Sequence, residues 1–283
     1  MGYKIAMSRT KLILLGTGTP NILPERYQSS IAVIVDDVPY IVDCGGGALQ
    51  RMVQAVHEKD VSALKMRHLT RCFLTHLHPD HTTGLPDFLI APWVLDRSET
   101  VRIWGALGTQ NLVDGILKAY AIGIGEHRDG LAPINHPLAV VVTEIDAGEI
   151  YRDERVTVTA FRAQHGTLDA YSYQFVTPDK TIVISGDTTP NNMMMKYASG
   201  CDILVHEVYS TQQFKQRSAA WQAYHANAHT STIELAHIAN QTRPKLLVLV
   251  HSLFWGATEA EILAEIRQQY AGEVVCGRDL DIF

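Results

Sequence analysis

His76-Leu77-His78-Pro79-Asp80-His81 places three imidazoles and a carboxylate in six positions. With 13 histidines in 283 residues, a His-x-His-x-Asp-His string is expected by chance at roughly 0.002 per chain. The preceding stretch, Arg71 to Thr75, reads as a strand, and Leu85 to Leu95 beyond it reads as a helix. The histidine string therefore occupies a strand-to-helix loop. In an extended segment His76 and His78 point to one side, and the turn at Pro79 lets Asp80 and His81 face a second point nearby. Imidazole and carboxylate together suit Zn²⁺, and Mn²⁺ or Fe²⁺ are compatible with the same donors. The bland alternative, a polar loop of solvated histidines, does not account for this density of donors.

Upstream, Lys11 to Leu15 reads as a buried strand that breaks at Gly16-Thr17-Gly18-Thr19-Pro20. Ile31 to Val35 and Tyr40 to Val42 are β-branched runs joined by Asp36-Asp37-Val38-Pro39, as in a hairpin, and Gly45-Gly46-Gly47 ends the pair. Leu49, Met52, Val53 and Val56 then recur at helical spacing. Downstream, Val101 to Trp104 is extended, Leu112 to Ala119 helical, and Gly123 to Pro137 less ordered. Leu138 to Val142, Val156 to Phe161, Tyr171 to Val176, Thr181 to Ile184, Ile203 to Val205 and Leu246 to Val250 are strand candidates. Ser231 and Thr258 each open a helix with Glu three residues on, Glu234 and Glu261, as in a capping box. Two halves of strands followed by helices predict two sheets packed face to face with helices outside. No linker or repeat divides the chain, so residues 1–283 read as a single domain.

Four donors fill only part of two metal shells, which predicts further His or Asp residues at strand ends. His165 follows the strand ending at Phe161, Asp187 follows Thr181 to Ile184, and His251 follows Leu246 to Val250. Each alone reads as a satisfied structural residue about as readily as a ligand. Together with the first motif they give seven candidate ligands: His76, His78, Asp80, His81, His165, Asp187 and His251.

The bulk composition narrows the function. A formal net charge of −6 gives no broad basic face for displacing phosphate counterions, which argues against a nucleic-acid partner. The start, MGYKIAMSRT, lacks the charged and apolar regions of a secretory signal. No apolar span of 18 residues occurs, so neither a membrane helix nor a membrane partner is expected. Cys44, Cys72, Cys201 and Cys276 form no CxxC pair, which reads as reduced thiols in a cytoplasm.

Further motifs carry a resemblance. Leu14-Leu15-Gly16-Thr17-Gly18-Thr19-Pro20, Gln28-Ser29-Ser30, Asp43-Cys44-Gly45, Ser185-Gly186-Asp187-Thr188, His206-Glu207 and His229-Thr230-Ser231, together with the histidine string, resemble the metallo-β-lactamase superfamily, in its ribonuclease Z and arylsulfatase-like branch. The resemblance covers nearly the whole chain. It implies an α/β fold, the four-layer αβ/βα sandwich, and two Zn²⁺ per chain. By it, His76, His78 and His165 hold one zinc, Asp80, His81 and His251 the other, and Asp187 bridges. Such a pair activates water and stabilises charge on the attacked centre. The resemblance also implies that Asp80 accepts a proton, that His229 protonates the leaving group or holds an oxyanion, and that Glu207 orients His229. Relatives in this branch often dimerise, which implies a homodimer. His225 is a weaker candidate; His57, His68, His127, His136 and His237 are background. Phe88, Trp93, Phe254 and Trp255 are candidates for lining the cleft or for core.

The sequence departs from the tRNA-processing members at one place. Those enzymes carry a long Gly-rich, basic arm between the residues matching His165 and Asp187, whereas here the gap is 187 − 165 = 22 positions. The expected activity is therefore hydrolysis of a small ester, a phosphodiester or an aryl sulfate first. β-Lactamase or lactonase activity, ribonuclease Z-type tRNA 3′-processing and a non-catalytic metal-dependent binding module are the alternatives.

Overall fold

Short strands whose side chains alternate between two apolar layers assemble into two sheets in the computed structural model, which describes residues 8–95, 97–130 and 134–283. The first sheet contains β1 (Thr10–Gly16), β2 (Ser30–Val35), β3 (Val38–Val42), β4 (Arg71–Phe73), β5 (Val101–Gly105) and β6 (Val140–Glu144), neighbours in that order. Its first three strands pair antiparallel and the rest parallel. The second contains β7 (Gly148–Arg152), β8 (Thr157–Arg162), β9 (Tyr171–Val176), β10 (Thr181–Ile184), β11 (Ile203–Tyr209), β12 (Leu246–Leu253) and β13 (Val274–Cys276), also in sequence order. Here β7 to β10 are antiparallel and β10 to β13 parallel.

The helices are α1 (Ala48–Glu58), α2 (Pro79–Thr82), α3 (Leu85–Leu95), α4 (Thr109–Ala119), α5 (Ala121–Asp129), α6 (Asn192–Tyr197), α7 (Thr211–Phe214), α8 (Ala219–Ala226), α9 (Thr232–Thr242) and α10 (Glu259–Arg267). Strand periodicity sends alternate residues to opposite faces, and the layers follow from it. Leu12, Leu14, Val33 and Phe73 meet Val158, Tyr173, Phe175 and Ile182 between the sheets. Ile13, Ile34, Ile41 and Ile103 lie instead under Met52, Phe88, Leu89 and Val113. Val183, Leu204, Leu247 and Leu249 lie under Met194, Leu235, Ile238 and Ile262. The molecule is thus a mixed α/β fold of two facing sheets with helices outside.

One expectation changes. The stretch from Gly123 is helical as far as Asp129, in α5, which buries none of its residues and so shows no amphipathic period. Residues 131–133 of that stretch, and the first seven residues, where a leader would begin, lie outside the described residues. α8 is likewise a helix that the hydrophobic pattern does not reveal, for a similar reason: His225 is its one buried residue. The capping boxes at Ser231/Glu234 and Thr258/Glu261 are both formed. Among the described residues no helix is long and apolar enough to cross a membrane.

Candidate metal centre

Local backbone chemistry delivers each donor to one end of the sandwich. After β4 the chain runs extended through His76 and His78 and turns into α2, with Pro79 at its first position, where a missing N–H is harmless. Gly186, at φ 57, turns the chain out of β10 towards Asp187. A Cβ there would sit 2.8 Å from the Thr75 Cβ, so only glycine fits both the dihedral and the space. β12 carries a bulge: Val250 pairs with Glu207 and Ser252 with Val208, leaving His251 unpaired at φ 43. The bulge re-aims its ring into the cleft. Non-glycine residues held at such dihedrals concentrate at functional sites.

All seven candidate ligands converge. Single donor atoms of His76, His78, His165 and Asp187 lie within 4.8 Å of one another, as do those of Asp80, His81 and His251. Asp187 stands between the groups. Its Oδ1 is 3.5 Å from His81 Nε2, and its Oδ2 is 3.6, 3.8 and 3.9 Å from the Nε2 atoms of His251, His165 and His76. His78 Nδ1 is 3.1 Å from His165 Nε2, and His251 Nε2 is 3.1 Å from Asp80 Oδ2. Donors 2.0–2.2 Å from a tetrahedral cation stand about 3.3–3.6 Å apart, so these separations fit ions between them. The buried His76 Nε2, His81 Nε2 and Asp187 Oδ1 have no hydrogen-bond partner, a cost that a cation would remove.

The surrounding groups set tautomers. Asp43, on the quoted Asp43-Cys44-Gly45 motif but not among the predicted site residues, accepts from His81 Nδ1 at 2.7 Å, from Thr75 Oγ1 at 2.8 Å and from Thr75 N at 2.7 Å. His165 Nδ1 donates to Ala228 O at 2.7 Å. Both contacts turn Nε2 towards the centre, the usual arrangement of a ligating imidazole. Burial pushes His76, His78 and His165 below the ordinary histidine range, into the neutral form a cation needs. Burial also opposes charge on His81, but Asp187 and Asp43 outweigh it and raise its pKa.

His229 and Glu207 adjoin the centre. Glu207 Oε1 accepts from Thr188 N and Thr230 N, each at 3.1 Å, and lies 3.2 Å from His229 Nδ1. Burial lowers His229 to about 4, while burial and the Asp187 charge raise Glu207 well above the carboxylate range. His229 also comes within ligand distance of Asp187 and His251. The centre opens on one side to a cavity of about 490 Å³ whose lining includes His78, Asp80, His229, Arg217, Trp221 and Trp255. Of the proposed lining aromatics, Trp255 lines this cavity. Phe88 is buried beneath the first sheet, Trp93 is buried on the same helix with its Nε1 donating to His136 O, and Phe254 packs on the outer layer of the second sheet. His225, the weaker candidate, is buried and lines the cavity.

Comparison with known proteins agrees with this fold. A Mycobacterium bovis (strain BCG / Pasteur 1173P2) protein, "Ribonuclease Z", is 29% identical over 276 residues, 95% of this chain and 96% of the relative. The metallo-β-lactamase fold protein YhfI from Bacillus subtilis superposes with a TM-score of 0.72 at 15% identity, covering 98% of this chain and 99% of that one. The short form of human tRNase Z superposes with a TM-score of 0.69 at 24% identity, covering 96% and 98%. Ribonucleases act on RNA, and a near end-to-end match to one weakens the exclusion of nucleic acid drawn from net charge and the short gap. The sequence profile of the Anti-Pycsar protein Apyc1 family matches residues 10–253, a span that includes all seven donors. The chain belongs to the Anti-Pycsar protein Apyc1 family, and it is a metal-dependent hydrolase of the metallo-β-lactamase superfamily.

Proposed function

We propose that the chain holds two cations, Zn²⁺ in the first instance, and hydrolyses a small phosphodiester. The observation that carries this reading is the convergence of seven donors on one end of the sandwich, open to a cavity of about 490 Å³. His76, His78 and His165 would hold one cation, Asp80, His81 and His251 the other, with Asp187 shared. When bound, such a pair supplies Lewis acidity that lowers the pKa of water and offsets charge on the attacked phosphorus oxygens. The cavity is of the size that accepts one small molecule. Phosphorus is favoured over sulfur or carbonyl carbon because the Mycobacterium bovis relative and the human structural neighbour are named ribonuclease Z and tRNase Z.

The chain's own residues then divide the work. Asp80 orients towards His251 and is placed to accept a proton. His229, neutral in the free site, gains a reason to hold a proton when an anionic phosphodiester lies against it. It then delivers that proton to the departing oxygen, with Glu207 fixing its ring.

Metal analysis is expected to return about two cations per chain. Bis(p-nitrophenyl) phosphate, p-nitrophenyl sulfate, nitrocefin, an acyl lactone and precursor tRNA form the test panel. The phosphodiester is expected to be cleaved fastest, with loss on chelation and recovery on adding Zn²⁺. Cleavage of the tRNA far faster than the small esters would refute the small-substrate reading in favour of RNA processing.

A further inference from the structure

We infer that Asp279 is a positioning residue whose single carboxylate aims the donors Asp80, His81 and His251 at their shared point. This rests on the two-cation reading of the site and names a residue outside the ligand set that fixes the geometry of one of the two cations. β1 and β2 stop pairing at Gly16 and Ser30. The loop between them reaches the cavity at Pro20, Asn21 and Gln28, and its backbone donors need acceptors. The Asp279 side chain, 3% exposed, supplies them from the segment after β13. Its Oδ1 accepts from Thr17 N at 2.9 Å and Thr17 Oγ1 at 2.8 Å, and its Oδ2 accepts from Tyr27 N at 2.7 Å and Arg51 Nε at 3.0 Å.

Each oxygen leads to ligands of the same cation. On the first arm, Thr17 O accepts from His251 N at 3.0 Å. His251 is the bulged residue of β12, without a ladder partner in β11, and this bond takes the place of one. Thr17 is itself fixed twice, because its Oγ1 also accepts from Arg26 Nη1 at 2.7 Å. A one-residue slip of β12 would carry the His251 ring to the opposite face of the sheet, and an acceptor held rigidly beside the bulge opposes it. On the second arm, Tyr27 precedes Gln28, whose Oε1 accepts from Gly46 N at 2.9 Å and from Thr83 Oγ1 at 2.8 Å. Thr83 caps α2, the single turn that carries Asp80 and His81, and Cys44, two residues before Gly46, donates to His81 O at 2.8 Å. His165, assigned to the other cation, is held from elsewhere, by Ala228 O. A carboxylate that only tied the segment after β13 to the body would have no reason to end both arms on one set of donors.

The protein loaded with Co²⁺ is titrated with a chelator of known affinity, and His251→Ala and His165→Ala serve as references for loss of one cation or the other. In Asp279→Ala one cation is expected to bind about tenfold more weakly or worse. The absorption of the cation that remains should match that left in His251→Ala, not that left in His165→Ala. Thr17→Val keeps the side-chain shape and loses the hydroxyl, so it should weaken the same cation by about threefold or more, whereas Thr17→Ser should stay within about twofold of the wild type. If Asp279→Ala does not fold, the two threonine variants decide on the same criteria. Wild-type affinity for both cations in folded Asp279→Ala, or weakening of the cation on His165 instead, overturns the positioning role. Hydrogen exchange of the His251 amide in the metal-free protein reads that role without any cation. It should be about tenfold faster or more in Asp279→Ala, with the amides of β8 and β9 at wild-type rates; an unchanged His251 rate, or equal acceleration everywhere, overturns the proposal. A wild-type protein that binds fewer than two cations removes the two-cation reading, and the His251 exchange then decides the role of Asp279 by itself.

Discussion

Replacing Asp43 with Asn tests whether the hydrogen bond behind His81 governs cation binding. Asp43 sits at φ 59, a conformation that Asn tolerates equally, so the backbone need not move. With Oδ1 still accepting from Thr75 N, the new amide nitrogen replaces the oxygen 2.7 Å from His81 Nδ1. Two donors then face each other unless the imidazole moves its proton to Nε2, the atom turned towards Asp187. That tautomer cannot bind a cation. A hydrogen bond to a charged group contributes about 1.5–3 kcal/mol, and each 1.4 kcal/mol is roughly a factor of ten in affinity. One of the two cations should therefore bind about 10- to 100-fold more weakly, in the range seen when such partners are removed from other metal sites. Competition against a chelator of known affinity, with metal content counted per chain, measures this directly. If Asp43→Asn retains two cations at the wild-type affinity, the tautomer argument is wrong.

Three further outcomes are expected. His229→Ala should keep its cation content while turnover falls roughly 100-fold or more, with the larger loss on esters of poor leaving groups; equal turnover would remove His229 from the reaction. Gly186→Ala combines a left-handed dihedral with a Cβ 2.8 Å from Thr75 and should destabilise by about 2–4 kcal/mol, measured by urea unfolding; an unaltered midpoint would contradict the packing described. Burial raises the Asp179 carboxyl, but hydrogen bonds from Thr10, Ser8 and the Arg9 N–H outweigh it and lower its pKa from 3.8 to about 2. Its contribution is present above pH 4 and lost as pH falls towards 2, so the stability gap between the wild type and Asp179→Asn should narrow over that window in urea melts; a constant gap would show that the charge is not involved.

The convergence of the seven candidate ligands was legible because their chemistry is dense in sequence: histidines and aspartates clustered just after apolar strands seldom serve packing alone. Asp43 was visible only as part of a motif, since nothing local to it says that its carboxylate reaches His81, 38 positions away. The layers were readable from β-branched runs and capping boxes. α5 and α8 were not, because a helix that buries none or one of its residues has no hydrophobic period to detect. For the same reason Trp221 and Tyr224, on α8, went unseen as lining of the cavity. Phe88 and Trp93 read in sequence as cleft or core, and both are buried, while Trp221 and Tyr224 acquire their place only through the path of the chain after β11. Net charge does not decide the partner, because this acidic chain aligns from end to end with a protein named ribonuclease Z.

The donors come from both halves of the sandwich: His76, His78, Asp80 and His81 follow a strand of the first sheet, whereas His165, Asp187 and His251 belong to strands or strand ends of the second. Loaded with ions as proposed, the centre would act as a rivet across the seam, its binding energy added to the cohesion of the two sheets by mass action. Depriving the protein of metal would accordingly do more than stop catalysis. It would lower the melting temperature in proportion to the logarithm of free ion concentration, so scarcity of the bound cation would remove part of the protein through unfolding.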